Sequence, residues 1–170
     1  MTGKVYALSD LHGHYDALMA MLKKIRFSDR DQLYILGDCN DRGKKAMEIY
    51  HFIQQHQDNI FLLKGNHELM MRDFLMKEDW ECPQGRIWQC NGGDKTMKDM
   101  DHFLKKACGS DKDFQCRKKE FRKWLIDYIN HLPSFIEINV GGQALVLIHA
   151  GIDPEKPLHD QDEEICAWIR

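Results

Sequence analysis

Four short apolar runs recur along the chain, and a cluster of polar residues follows each of them. The runs occupy residues 5–8, 33–36, 60–63 and 144–148, and the clusters occupy residues 10–13, 37–43, 65–68 and 149–151. Short β-rich runs of this length are typical of buried strands. We therefore expect strands whose polar clusters lie together along one edge of a sheet, where open α/β sheets place their ligands.

Helical periodicity fills the gaps between the first three runs. Apolar positions from Ala17 to Ile25 and from Ala46 to Ile53 predict two helices, and a third is expected from near His67 to Leu75. The second and third clusters each begin close to 28 residues after the previous one, as the spacings from Asp10 to Asp38 and from Asp38 to Asn66 show. A βαβ unit takes about 30 residues. The pattern therefore predicts three adjacent parallel strands with right-handed crossovers.

The second half of the chain departs from this pattern. Residues 78–94 contain Pro83, Gly85, Gly92 and Gly93 together with two tryptophans, and they predict a loop or cap outside the sheet. Helices are expected near residues 94–107 and 115–130. Residues 135–140 and 144–148 then predict two strands, joined by Gly141 and Gly142 as a hairpin.

Composition and charge are those of a soluble globular domain. The 170 residues are ordinarily one domain, and the net charge of −3 argues against a nucleic-acid or membrane partner. Neither a span of about 20 apolar residues nor a signal peptide is evident, so we expect a cytoplasmic protein. Its six cysteines are then expected to be reduced. The basic residues of 117–123 predict a solvated helix face.

The polar clusters offer oxygen and nitrogen ligands for two divalent metal ions. Asp10 and His12 alternate along the chain, so in an extended segment they point to the same side. Asp38 is the natural bridge between two metals, and Asn66 and His149 supply neutral ligands to the second one. The alternative is that the two aspartates cap helices, which leaves the other three residues unexplained. Manganese is the expected ion, with iron, zinc or magnesium as alternatives.

The motifs D-x-H-G, G-D-x-x-D-R-G, G-N-H-E and H-A-G occur here in that order. They resemble the phosphoprotein phosphatase family of calcineurin-like metallophosphoesterases, and especially its small bacterial and phage Ser/Thr phosphatases. The resemblance runs from residue 5 to residue 170. It implies one mixed α/β domain over residues 1–170, a β-sandwich flanked by helices, with the metals at one edge between its sheets.

The resemblance also implies roles for residues that do not bind metal. His67 is expected to give a proton to the leaving group, with Asp41 as the partner that orients it. Arg42 can form a planar fork to two phosphate oxygens, and Asn66 is expected to contact the phosphate as well. Arg170 matches a second phosphate-binding arginine, or else it is only a frayed terminal charge.

These features predict a metal-dependent phosphomonoesterase that acts on phosphoserine or phosphothreonine in proteins, or on small phosphoesters. Dinucleoside tetraphosphate hydrolysis is the first alternative, although those relatives typically lack the aspartate present here as Asp41. The second alternative is a non-catalytic metal- or phosphate-binding domain. It arises because the family usually continues past the position of Arg170 to one more metal-binding histidine, which His159 would have to replace. We expect weaker binding of the second metal and self-association through an exposed sheet edge.

Overall fold

The computed structural model describes residues 3–169, which form two sheets and seven α-helices. The elements in chain order are β1 (Val5–Leu8), α1 (Tyr15–Ile25), β2 (Gln32–Ile35), α2 (Ala46–Gln55), β3 (Ile60–Leu62), α3 (Asn66–Lys77), α4 (Pro83–Cys90), α5 (Gly93–Lys105), α6 (Asp111–His131), β4 (Phe135–Val140), β5 (Gln143–Ile148) and α7 (Glu163–Trp168). A short 3-10 helix, Leu158–Asp160, precedes α7. The mixed α/β fold class that the sequence predicts is confirmed.

The first sheet contains β1, β2 and β3 in that order, and all three strands are parallel. Leu33 of β2 is paired with Tyr6 on one side and with Ile60 on the other. Leu33 and Ile35 are fully buried, as expected for a central parallel strand covered on both faces. Because the strands run in the same direction, the loops that follow them all leave from one edge of the sheet.

The second sheet is the antiparallel hairpin of β4 and β5, in which Phe135 is paired with Ile148. Gly141 and Gly142 have φ angles of +61° and +85°, as a two-residue type I′ turn requires at both positions. The predicted hairpin is therefore confirmed. Its second strand carries Leu145 and Val146, which stay 43% and 46% exposed among residues 3–169.

Residues 78–94 form helices rather than the predicted loop, because α4 occupies Pro83–Cys90 and α5 begins at Gly93, and only the alternative of a cap outside the sheet remains. Pro83 starts α4, where a helix needs no hydrogen bond from a backbone N–H. Gly93 is required by packing, since a Cβ atom there would overlap the indole ring of Trp88. Pro83 thus begins a helix and Gly93 allows close packing, so neither residue marks a loop.

The other predicted elements are present with small shifts at their ends. The strand expected at residues 33–36 is β2, Gln32–Ile35, and the helix expected from residue 115 begins at Asp111. Ser110 caps that helix, because its hydroxyl accepts a hydrogen bond from the Asp113 N–H at 3.2 Å. Within residues 3–169, no helix is both long enough and apolar enough to cross a bilayer.

Candidate metal centre

Asp38 lies at the centre of the polar clusters, in the loop that follows β2. Its side chain is buried, and its two carboxylate oxygens face different histidines. Oδ2 is 3.8 Å from Nε2 of His12, and Oδ1 is 3.6 Å from Nε2 of His149. The structure thus places Asp38 between the ligands that the sequence assigns to two separate metals.

His12 presents a free nitrogen to the carboxylates of Asp10 and Asp38. Its Nδ1–H donates to the carbonyl oxygen of Asn40 at 2.9 Å, so Nε2 keeps its lone pair. Nε2 is buried and has no hydrogen-bond partner within residues 3–169, although Asp10 Oδ1 is 3.7 Å away. A buried, unpartnered nitrogen facing two carboxylates is an arrangement that a metal cation satisfies.

His149 is oriented in the same way from the end of the hairpin. Its Nδ1–H donates to the carbonyl oxygen of Leu36 at 2.6 Å. The Nε2 atom lies 3.0 Å from Oδ1 of Asn66 and 3.6 Å from Oδ1 of Asp38. Three lone pairs therefore converge with no hydrogen between them, and a second cation would relieve their mutual repulsion. The chemistry of both donor sets fits divalent metal ions.

His67 also approaches this centre but has a different partner. Side-chain atoms of His12, Asp38 and His67 lie within 4.8 Å of one another. However, Nη2 of Arg42 is only 3.5 Å from Nε2 of His67. In the neutral ring, Nε2 of His67 therefore already has a hydrogen-bond donor beside it, unlike the unpartnered Nε2 of His12.

The other nitrogen of His67 is held by Asp41. Nδ1 donates to Oδ2 of Asp41 at 2.6 Å, and Asp41 is fully buried. Burial of His67 opposes its charged form, but the hydrogen bond to Asp41 and the nearby charge of Asp38 outweigh this effect. The pKa of His67 is therefore raised, which favours the protonated ring.

Two residues that the sequence analysis missed complete the surroundings of Asp41. The indole N–H of Trp88 donates to Oδ2 of Asp41 at 2.8 Å. The hydroxyl of Thr96 donates to Oδ1 at 2.6 Å and accepts the Asp41 backbone N–H at 2.8 Å. Both come from α4 and α5, so no local sequence signal connects them with Asp41.

Glu68 joins the second cluster to the third. Its carboxylate accepts hydrogen bonds from the backbone N–H groups of Asp38, Cys39 and Gly65, at distances between 2.7 and 2.9 Å, and from the hydroxyl of Tyr50 at 3.0 Å. Burial and the charge of Asp38 raise the pKa of Glu68, although the three N–H groups oppose this. The glutamate three residues after Gly65 matches a capping box, a signal that the sequence analysis did not use.

Asn40, which has no predicted role, is fully buried and connects the clusters. Its side-chain N–H₂ donates to the carbonyl oxygen of His67 at 3.1 Å, and its Oδ1 accepts from the hydroxyl of Tyr50 at 2.9 Å. Together with its backbone contact to His12, Asn40 therefore links the first, second and third clusters. The amide faces the protein interior and not the solvent.

Backbone strain is concentrated at the site. Five non-glycine residues of the clusters have φ between +42° and +69°, namely Asp10, His12, Asp38, Asp41 and Arg42. This left-handed region is uncommon for such residues and costs of order 1–3 kcal/mol each. Strain of this kind persists only where the surroundings hold the backbone in place, here through the contacts of Glu68, Asn40 and Thr96.

The remaining predicted residues lie at or beyond the rim. Arg42 is exposed next to His67, and the side chain of Asp10 is 56% exposed. His159 is not part of the centre, because its exposed ring lies 3.4 Å from Glu137 of β4. Arg170 lies outside the described residues.

Comparison with known proteins gives one family and a group of named relatives. A family model described as calcineurin-like phosphoesterase matches residues 3–166. A symmetrical bis(5′-nucleosyl)-tetraphosphatase from Chromobacterium violaceum is 28% identical over 152 residues, which is 89% of this chain and 44% of that protein. A protein of the same description from Neisseria gonorrhoeae is 29% identical over 88% of this chain and 44% of its own length.

One solved structure supports the fold. It is provisionally described as a diadenosine tetraphosphatase, and it aligns with a TM-score of 0.60 at 16% identity, over 98% of this chain and 63% of its own. The chain thus spans less than half the length of the curated relatives it matches.

Proposed function

Because the chain belongs to the calcineurin-like phosphoesterase family, we propose that it hydrolyses phosphate compounds with two divalent metal ions. Its metal ligands would be Asp10, His12, Asp38, Asn66 and His149. The observation that carries this proposal is the convergence of two histidine Nε2 lone pairs on the opposite oxygens of Asp38. When bound, a pair of such ions lowers the pKa of water and stabilises charge on the phosphoryl oxygens.

The residues beside the metal ligands would bind and protonate the substrate. The exposed guanidinium of Arg42 can take two phosphate oxygens in a planar fork. Its position 3.5 Å from Nε2 of His67 places the phosphate next to that nitrogen. Because Asp41 holds Nδ1–H, a second proton on the ring resides at Nε2, from which it can pass to the leaving oxygen.

The substrate we propose is a dinucleoside tetraphosphate, which was the alternative in the sequence analysis. Its support is the likeness to symmetrical bis(5′-nucleosyl)-tetraphosphatases over nearly nine-tenths of the chain. The group that leaves from such a substrate is a nucleotide phosphate. A phosphate is a weak base, with a second pKa of about 6, so it leaves with little help from an acid.

A phosphomonoesterase acting on phosphoserine or phosphothreonine is the second candidate. The observation in its favour is the buried pair of His67 and Asp41, joined at 2.6 Å. An alkoxide is a much stronger base than a phosphate and needs a proton as it leaves. A histidine held ready to donate is therefore more useful with a phosphoserine than with a nucleotide anhydride.

The test is a direct comparison of substrates. Protein loaded with Mn²⁺ is assayed with diadenosine tetraphosphate, a phosphoserine peptide and p-nitrophenyl phosphate, and products are separated by chromatography. The proposal expects the highest kcat/KM for diadenosine tetraphosphate, while preference for the peptide supports the second candidate. Two bound metals with no turnover of any substrate would contradict both and indicate a binding domain.

A further inference from the structure

A groove separate from the metal centre runs between the N-terminal end of α2 and one face of α5. It encloses about 470 Å³. Five lysines line it, together with one histidine and two carboxylates; the lysines are Lys44, Lys45, Lys95, Lys98 and Lys106. We refer to it as the lysine groove. Its lining carries a net charge of +3 with the histidine neutral, although the whole chain carries −3.

The lysine groove begins beside the arginine that faces the metal centre. Lys44 follows Arg42 by two residues, and Nζ of Lys95 donates to the carbonyl oxygen of Arg42 at 3.3 Å. Two peptide units separate Arg42 from Lys44, so their Cα atoms lie no more than about 7 Å apart. The phosphate-binding arginine and the mouth of the groove therefore share one short segment of chain.

Two of the lysines are free of carboxylate partners within residues 3–169. Lys45, Lys98 and Lys106 form ion pairs with Asp16, Asp94 and Glu48. Lys44 and Lys95, in contrast, have no carboxylate within 4.0 Å in the part of the chain that the structure describes. Both side chains are exposed. The unpaired positive charge is thus located at the end of the groove nearest the metal centre.

We propose that the lysine groove binds the phosphate groups of a nucleoside polyphosphate that extend beyond the metal centre. This inference rests on the proposed function, and it assigns a second subsite to the same substrate. The volume lies within the range of about 300–1,000 Å³ that is usual for small-ligand sites. Lysine ammonium groups bind phosphate oxygens as point charges, and a chain of several phosphates supplies negative charge for both free lysines.

The first experiment separates the groove from the catalytic centre. The double variant Lys44→Gln/Lys95→Gln is compared with a control, Lys118→Gln/Lys119→Gln, which removes the same charge from α6. We expect the groove variant to raise KM for diadenosine tetraphosphate by about tenfold, the combined effect expected for the loss of two solvent-exposed ion pairs. Its kcat/KM for p-nitrophenyl phosphate should stay within about twofold of the wild type. Equal losses on both substrates, or no loss on either, would overturn the proposal.

A binding measurement distinguishes failure of the groove from failure of the proposed function. Inorganic triphosphate is titrated calorimetrically into full-length protein stripped of metal by dialysis. We expect binding to the wild type and to the control, with an affinity about tenfold lower in the groove variant. That result supports the groove even if no substrate is hydrolysed. Equal affinities of all three proteins refute it, even in an active enzyme.

Discussion

The indole nitrogen of Trp88 lies 2.8 Å from Oδ2 of Asp41, the same oxygen that accepts the hydrogen bond from His67. Trp88 is fully buried, and its helix α4 lies in the segment that the sequence predicts to be a loop or cap. The helix therefore does more than cover the site. It fixes the carboxylate that in turn orients the histidine.

Trp88→Phe should weaken protonation of the leaving group without removing the metals. Phenylalanine keeps most of the packing against Phe74 but has no N–H for Asp41. Loss of a hydrogen bond to a charged group costs about 1.5–3 kcal/mol, so we expect kcat for a phosphoserine peptide to fall by about tenfold or more. The fall should be smaller for p-nitrophenyl phosphate, and metal content should be unchanged.

Trp80→Phe is the matched control for this variant. Trp80 stacks on Trp88 with ring centroids 5.5 Å apart, and its own ring makes no hydrogen bond to Asp41. A general loss of packing would affect both variants in the same way. Similar kinetic losses in Trp80→Phe and Trp88→Phe would therefore contradict a specific role for the indole N–H.

Asp38→Asn should remove the metals and the activity together. The amide is neutral, so the two proposed cations lose the negative charge that lies between them. Metal content measured by mass spectrometry is expected to fall below one ion per chain, with turnover near the background. Asp16→Asn, at an exposed aspartate paired with Lys45, is the control. Two tightly held ions in Asp38→Asn would show that Asp38 does not bridge them.

His67→Asn should separate catalysis from metal binding. We expect both metals to remain, and alkyl phosphate hydrolysis to slow by about 10²–10⁴-fold, the usual contribution of a general acid. For diadenosine tetraphosphate and p-nitrophenyl phosphate the loss should be much smaller, because their leaving groups are weaker bases. The same loss on all three substrates would count against His67 as the proton donor.

Asp99 of α5 caps a helix from which it is remote in sequence. Its Oδ2 accepts the backbone N–H of Met47, at the start of α2, at 2.9 Å. The other oxygen is buried without a partner among residues 3–169. Burial, with the nearby charge of Glu48, raises the pKa of Asp99 to about 6, although the Met47 N–H opposes the shift.

This raised pKa predicts a loss of stability as the pH rises. Between the ordinary value of 3.8 and about 6 the folded protein holds a proton on Asp99 that the unfolded chain releases. The free energy of unfolding should therefore fall across this window, by about 1–3 kcal/mol, and stay lower above it. Asp99→Asn should flatten the pH dependence of the free energy of unfolding, measured by urea titration, because an amide does not titrate in this range. Its oxygen can still accept the hydrogen bond from the Met47 N–H. Asp29→Asn, an exposed control, should keep the wild-type slope.

Much of the fold could be predicted because its signals are local. The three parallel strands follow from short apolar runs and a spacing of 28 residues between Asp10, Asp38 and Asn66. The hairpin follows from two adjacent glycines with the φ angles that its turn requires. The rule that loops after parallel strands share an edge was enough to group Asp10, Asp38 and Asn66, whereas His149 comes from the separate antiparallel hairpin.

The parts that could not be predicted depend on contacts between distant segments. Trp88 and Thr96 are 47 and 55 residues from Asp41, and nothing in their neighbourhood marks them as its partners. The helix α4 was mistaken for a loop because Pro83 and Gly85 are usually breakers, whereas here one begins the helix and the other has no room for a side chain. The left-handed backbone at Asp38 is likewise imposed by its tertiary surroundings.

The contact between His149 and Asn66 joins residues that are 83 positions apart, at a distance of 3.0 Å. Closing a loop of that length costs about 4 kcal/mol of chain entropy, about 1 kcal/mol more than the 28-residue spacing between one βα unit and the next. In a refolding experiment we therefore expect Asp10, His12 and Asp38 to assemble early. The hairpin that carries His149 should dock late, because distant contacts slow folding. The two halves of the centre would then form at different times during folding. The half that contains His149 would form only when the native state forms.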